Sequence, residues 1–373
     1  MRKFILLSAL MLATAMFAKR IQVVDTDNMP IAAVAVTDEK GALVGRTDND
    51  GWLNDSKGLK KLFFSHMAFK PMKVETDTLS LDRVVMADAD YNLGEVTVKP
   101  KELIYVQTYY RVSYVNNEGP IYFRAGVVDN TFEVATKKIS KKARSISRAE
   151  NGIIKFAINA LAGRVLDNWA KIDTLNYYDR ILKNAQKGHL MISEPENGRR
   201  IISDSICVLG YIDDDLEEHR RTVVFNRDKY LQHRDSVEEA ARIEKLKREG
   251  KPIKEKKKKD KEVKDNDDTY YEVIRIDDEG RSRISDVIMK QLMAKGHARR
   301  TDTDYIILLE VFTTGCDYID KKDFKQTRKD NEVEMDILEL RQFEKIHNIP
   351  PLSPNLKEQI DKLFEKDIAK AKK

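Results

Sequence analysis

The chain has 373 residues, a formal charge of +5, 35% charged and 41% hydrophobic residues, and two cysteines, Cys207 and Cys316. This composition gives room for two or three packed domains and excludes a disulfide framework. A charge so close to neutral argues against nucleic acid as a partner, and no apolar stretch beyond the first residues is long enough to span a bilayer.

The chain opens with "MRKFILLSALMLATAMFA". Arg2 and Lys3 form a basic end, Phe4 to Phe17 a short apolar run, and Ala13-Thr14-Ala15 an A-x-A site. That layout predicts a secretory signal over residues 1–18, cleaved after Ala15 or Ala18. Without Arg2 and Lys3 the formal charge falls to +3. No cysteine follows the run, so a lipid-modified N-terminal cysteine is not expected. In an oxidising compartment Cys207 and Cys316, both in strand-like segments, either pair or stay as two separate buried thiols.

Residues 19–98 read as short strands with turns at intervals of roughly ten residues, the pattern of a small β-sandwich. "IQVV" leads into the turn cluster "DTDNMP", and "IAAVAVTD", "ALVGRT", "KLFFSHMAF", "DRVVMAD" and "GEVTVKP" follow as strands. Within "VGRTDNDGWLN" the acids ahead of Gly51 suggest a calcium loop. With Gly51 at loop position six, Asp48 and Asp50 fit, but Arg46 and Lys57 stand where carboxylates are required. The expectation is a hairpin turn at Asp50-Gly51, with Trp52 opening the next strand and packing inward.

These segments also resemble the carboxypeptidase regulatory-like domain, found ahead of TonB-dependent receptors and on other exported bacterial envelope proteins. Thr47, Asp48, Asp50 and Gly51 match one piece of its pattern. Leu62, Phe64 and Ser65 match the next, and Leu93, Glu95, Val96 and Val98 the last. Ala32 and Ala68 stand where the family has Gly, and Trp52 replaces Phe. The resemblance implies a transthyretin-like or Ig-like β-sandwich, non-catalytic in itself, over about residues 20–98. None of the six His (His66, His189, His219, His233, His297, His347) has a Glu three residues later, so no zinc carboxypeptidase pair is present.

The remainder is too short for the plug and barrel of a receptor and lacks sustained lipid-facing alternation. Residues 103–330 read as an α+β domain: an antiparallel sheet with helices on one face. "GPIYFRAGVVDNTFEVATK" is expected to form two strands around a turn at Asp129-Asn130. Ile154, Ile158, Leu161, Val165, Trp169 and Ile172 space as one helical stripe. "GHLMIS", "RRIISDSICVLGYID", "RRTVVFNRD", "TYYEVIRID" and "DYIILLEVFTTGCDYID" read as strands. "SDVIMKQLMAKG" reads as a short helix capped by Ser285 and Gly296. Residues 234–268 hold 13 Lys or Arg against 11 Asp or Glu. Their first half is helix-forming and their second half has almost no apolar residue, so a solvated, mobile insertion is expected. In residues 331–373, Val333, Ile337, Leu340 and Phe343 line one helix. Leu356, Ile360, Leu363 and Ile368 line another, with Ser353 and Pro354 at its start.

"DDDLEEH" (Asp213 to His219) is the densest acidic cluster with a His, and charged loops between strands are ordinary without a metal. No nucleophile elbow, phosphate loop or C-x-x-C occurs. The sequence therefore assigns no catalytic, cofactor-binding or metal residue. The expected protein is exported and non-enzymatic, periplasmic or outer-membrane-associated, with an accessory role toward an envelope protein or surface component. The alternatives are a lipid or glycan carrier, and a hydrolase without a recognisable motif.

Overall fold

Extended segments of this chain are rich in Val, Ile, Tyr, Phe and Thr, residues that suit a pleated, half-buried surface. In the computed structural model the described residues are 20–53, 59–76, 83–89, 91, 102–134, 139–152, 177–196, 198–248, 268–282, 286–298, 303–330, 335–365 and 368–369. The expected signal, the strand "GEVTVKP", the helical stripe from Ile154 to Ile172 and the second half of the charged insertion lie outside them.

Among the described residues the front of the chain holds seven short strands: β1 (Ile21–Val24), β2 (Ala35–Thr37), β3 (Leu43–Arg46), β4 (Trp52–Leu53), β5 (Lys61–His66), β6 (Phe69–Glu75) and β7 (Arg83–Val85). They build two sheets, ordered β4-β1-β7 and β3-β2-β5-β6. The β1–β7 pair is parallel and the other pairs antiparallel. Strand β5 alternates strictly, with Leu62, Phe64 and His66 inward. Ile21 and Val84 of one sheet and Val36 and Phe64 of the other share one buried cluster. Each sheet thus removes its partner's apolar face from water.

Ten further described strands make one antiparallel sheet: β8 (Leu103–Asn116), β9 (Gly119–Glu133), β10 (Ile139–Gly152), β11 (Met191–Ile192), β12 (Arg199–Ser203), β13 (Val208–Asp215), β14 (Arg220–Asn226), β15 (Thr269–Arg275), β16 (Val287–Ala298) and β17 (Thr303–Ile319). Their order is β10-β9-β8-β17-β16-β15-β14-β13-β12-β11. The first and last strands meet in the middle, where Leu103 pairs with Ile319. Five described helices accompany the sheet: α1 (Tyr177–Gln186), α2 (Arg227–Arg248), α3 (Lys321–Asp330), α4 (Ile337–Ile346) and α5 (Pro354–Leu363). None of the described helices is long and apolar enough to cross a membrane.

Several expectations are corrected. Helices cover both faces of the sheet, not one. Neighbouring residues of a strand point to opposite faces. Tyr270 packs with Tyr178 and Ile181 of α1, while Tyr271 packs with Ile337 and Leu340 of α4 and Leu356 of α5. There is no turn at Asp129-Asn130: both residues lie buried within β9, and the reversal comes earlier, between β8 and β9. The segment expected as a helix up to Gly296 is β16, paired on both sides with β15 and β17. Met, Lys, Gln, Leu and Ala favour helix, but two flanking ladders outweigh a per-residue preference of a few tenths of a kcal/mol. Trp52 opens β4 yet lies only half-buried beneath Arg20, while its neighbour Leu53 points inward.

Other expectations match. The first part of the charged insertion lies in α2, and α4 and α5 bury Ile337, Leu340, Leu356 and Ile360. Cys207 and Cys316, for which pairing and two separate thiols both stood open, form no disulfide.

Candidate functional site

Two acids of the cluster flagged in the sequence, Asp213 and Asp214, are paired with arginines. Asp213 and Asp214 are adjacent on β13 and so face opposite ways. Asp213 sits across from Arg199 in the ladder and receives its Nε and Nη2, both at 2.7 Å. Asp214 sits across from Arg221, whose Nε approaches to 2.5 Å, and also takes Arg200 Nη2 at 2.6 Å. Arg199 stacks on Tyr211 at 3.9 Å and Arg221 on Tyr178 at 4.0 Å. Cross-strand pairs of this kind hold register. His219 occupies the turn with a φ of 50° and faces Asp278 at 3.5 Å. Nothing in this arrangement converges on a ligand.

Asp48 likewise serves geometry. Its Oδ1 accepts the backbone N–H groups of Asp50 and Trp52 at 3.0 and 2.8 Å. Gly51 has a φ of 73°, and a Cβ there would lie 2.4 Å from Val23 O. Only glycine fits that left-handed position.

A different group of side chains does converge. Asp204 and Cys207 lie on the reversal between β12 and β13, and His233 lies on α2. An oxygen of Asp204, Sγ of Cys207 and a ring nitrogen of His233 all fall within 4.8 Å of one another. Asp204 Oδ1 accepts the backbone N–H of Ile206 at 2.8 Å and of Cys207 at 2.9 Å. That folds the loop back over its own first residue, in the manner of an Asx turn. The other carboxylate oxygen, Oδ2, meets His233 Nδ1 at 2.7 Å. Asn226 Oδ1 accepts the N–H of Lys229 at 3.0 Å at the start of α2. Tyr230 then packs against Phe225. Tyr230 and His233, three residues apart, share a helix face, which brings the imidazole to the loop.

The electrostatics separate what this trio can do. Burial alone would raise the Asp204 carboxyl, but the N–H groups of Cys207 and Ile206 and the His233 ring hold it below the usual carboxylate range. Burial pushes the Cys207 thiol up, and the Asp204 charge pushes it further the same way. A nucleophilic cysteine needs the opposite shift. Moreover, the two nearest N–H groups are spent on Asp204 and cannot stabilise an oxyanion.

Two other buried charged groups hold structure together. Glu272 Oε2 accepts the N–H of Tyr177 at 2.7 Å and of Tyr178 at 3.2 Å, capping α1 from the sheet. Burial raises Glu272 and lowers Lys290, and each opposes the other's shift through their attraction. The second group, around Arg111, lies beneath α4.

Sequence reasoning missed the Asp204–Cys207–His233 trio. The only local signal is a D-x-x-C spacing on a hairpin, and His233 arrives from the next helix. No protein-family model, no curated protein and no solved structure matches the chain.

Proposed function

We propose that the chain is an exported, non-enzymatic protein of the cell envelope. In this reading its front two sheets are a regulatory-like β-sandwich that acts as a docking module, held at a fixed angle on a large sheet. One observation carries the reading: the front sheets and the large sheet share a buried core. Ala32, Met67 and Tyr91 of the front pack among Tyr109, Tyr211, Tyr271 and Phe312. Tyr91 Oη donates to Thr313 O, Arg46 Nη1 donates to Thr269 Oγ1 at 2.6 Å, and His66 meets the edge of Tyr271 at 4.5 Å. Asn355 of α5 reaches back to Thr37 Oγ1 at 2.7 Å and Asp38 O at 2.9 Å. A module fused in this way presents its outer surface to a partner without losing orientational freedom on binding, which favours a scaffold or accessory role.

The test is expression of the full chain in a Gram-negative host, with fractionation, N-terminal sequencing and in-cell photo-crosslinking from the exposed front strands. The reading expects a mature protein starting after Ala15 or Ala18, recovered with the periplasm or outer membrane and crosslinked to an envelope component. A cytoplasmic protein with an intact N-terminus would overturn it.

A further inference from the structure

We propose that Asp204, Cys207 and His233 form a binding site for a transition-metal dication of the zinc type. The donor set is one carboxylate oxygen, one thiol sulfur and one imidazole nitrogen, gathered within 4.8 Å from a hairpin loop and a helix. Sulfur and imidazole together select zinc-like ions and disfavour calcium or magnesium, which prefer oxygen alone.

The loop is already arranged for this. Asp204 Oδ1 is committed to the N–H groups of Ile206 and Cys207. Oδ2 is thereby turned to the imidazole. The neighbouring Ile206 and Val208 are 59% and 51% exposed, so side-chain packing does not fix this loop. Its shape comes from the Asp204 bonds instead. Asp204 is the more buried partner, its side chain 8% exposed against 23% for His233, so a cation would approach from the imidazole and thiol side.

Zinc bonds of about 2.3 Å to sulfur and about 2.0–2.2 Å to nitrogen and oxygen set ligand-to-ligand edges of roughly 3.3–3.6 Å. The 2.7 Å carboxylate–imidazole contact must open by less than an ångström, and a separation at the 4.8 Å limit of the group must close by somewhat more than one. On binding, the Cys207 thiol proton leaves to solvent and His233 keeps one proton, moved to Nε2. Thiolate and carboxylate then neutralise the dication, which suits a half-buried position. Three protein ligands leave a fourth position for water or for a group from outside the chain.

The experiment uses the tag-free full-length chain, titrated with Zn²⁺ by calorimetry and with Co²⁺ by absorption spectroscopy. The expected result is one equivalent bound, with a thiolate-to-cobalt charge-transfer band. Cys207→Ser should abolish the band, His233→Gln should weaken binding by roughly 10- to 100-fold or more, and Cys316→Ser should leave both unchanged. Far-UV circular dichroism checks each variant, and His233→Gln decides the matter if Cys207→Ser fails to fold. Absence of binding, binding indifferent to both substitutions, or a band lost with Cys316→Ser would each overturn the site.

Discussion

Arg111 and Glu310 lie directly across from each other on β8 and β17, both almost wholly removed from water. Arg111 Nε donates to Glu310 Oε2 at 2.5 Å and its Nη1 to Pro350 O at 2.8 Å, while Tyr109 Oη donates to Glu344 Oε1 at 2.6 Å. Burial alone would lower the Arg111 pKa, but Glu310, then Glu344, reverse that and move it up. Removing Glu310 leaves Arg111 in a low-dielectric site with Glu344 alone, at 3.4 Å. Glu310→Gln should therefore cost about 3–5 kcal/mol in urea unfolding, whereas the double change Arg111→Met with Glu310→Leu should recover much of that loss. A single-variant loss under about 1 kcal/mol would mean that water reaches the pair. His66 gives a second test at this scale. It is fully enclosed between Phe69 and Tyr271, and burial pushes its pKa down to about 3. The unfolded chain binds this proton below about 6.5 while the native chain refuses it until about 3. Stability from this residue is thus complete above the unfolded value and falls as the medium is acidified through that window. Relative to His66→Phe, the native chain should lose about 1.4 kcal/mol per pH unit between those limits. A difference that stays flat with pH would contradict a neutral, enclosed imidazole.

Helix ends show where local chemistry decides and where it does not. Asp336 begins α4 with a reciprocal capping box: its Oδ1 accepts the N–H of Leu338 at 2.8 Å and of Glu339 at 3.0 Å, and Glu339 Oε2 accepts the Asp336 N–H at 2.8 Å. Ser353 stands at the start of α5, ahead of Pro354 as the sequence suggests, but its hydroxyl makes no capping bond and is buried without a partner. Asp336→Ala should cost about 1 kcal/mol in thermal or urea unfolding, while Ser353→Ala should be close to neutral, since it removes a buried hydroxyl that gains nothing. Equal losses at the two positions would show that the cap geometry is not what holds these helices. The same contrast runs through the whole reading of the sequence. Strands such as β14 and β15 were legible, because their β-branched and aromatic residues carry the signal locally. So were the stripes of α4 and α5. β16 was not, because its composition favours helix and only its two neighbouring strands decide otherwise. The long β9 was misread at Asp129-Asn130, a pair that usually turns the chain. Here Asp129 is kept extended within the sheet by a ladder on each side and by the Tyr105 phenol, which donates to it at 2.5 Å. Asp204, Cys207 and His233 could not be read as a group at all, since β13, β14 and the first turns of α2 separate the loop from the imidazole.

Across the whole molecule, the seam between the front sheets and the ten-stranded sheet determines how the chain unfolds. A front body joined only by a linker would unfold by itself, and its transition would be separable. Here Met67 and Tyr91 are both buried within the larger core, and the Tyr91 ring meets Phe312 edge-on at 5.5 Å. Losing the front would uncover Tyr211, Tyr271 and Phe312 at once. Each large aromatic buries roughly 150–250 Å², so the exposed area would cost several kcal/mol at about 25 cal/mol per Å². The two parts are therefore expected to unfold together, with amide exchange in β5 and in β15 reporting the same opening free energy. Met67→Asp places a charge in the seam without touching the Ile21–Phe64 core of the front sheets. It should uncouple the parts: β5 would then exchange at a different free energy from β15, while the front strands stay folded under native conditions. Separate openings already present in the unaltered chain would show that the shared core is too weak to hold the front body at a fixed angle, and the scaffold reading would lose its support.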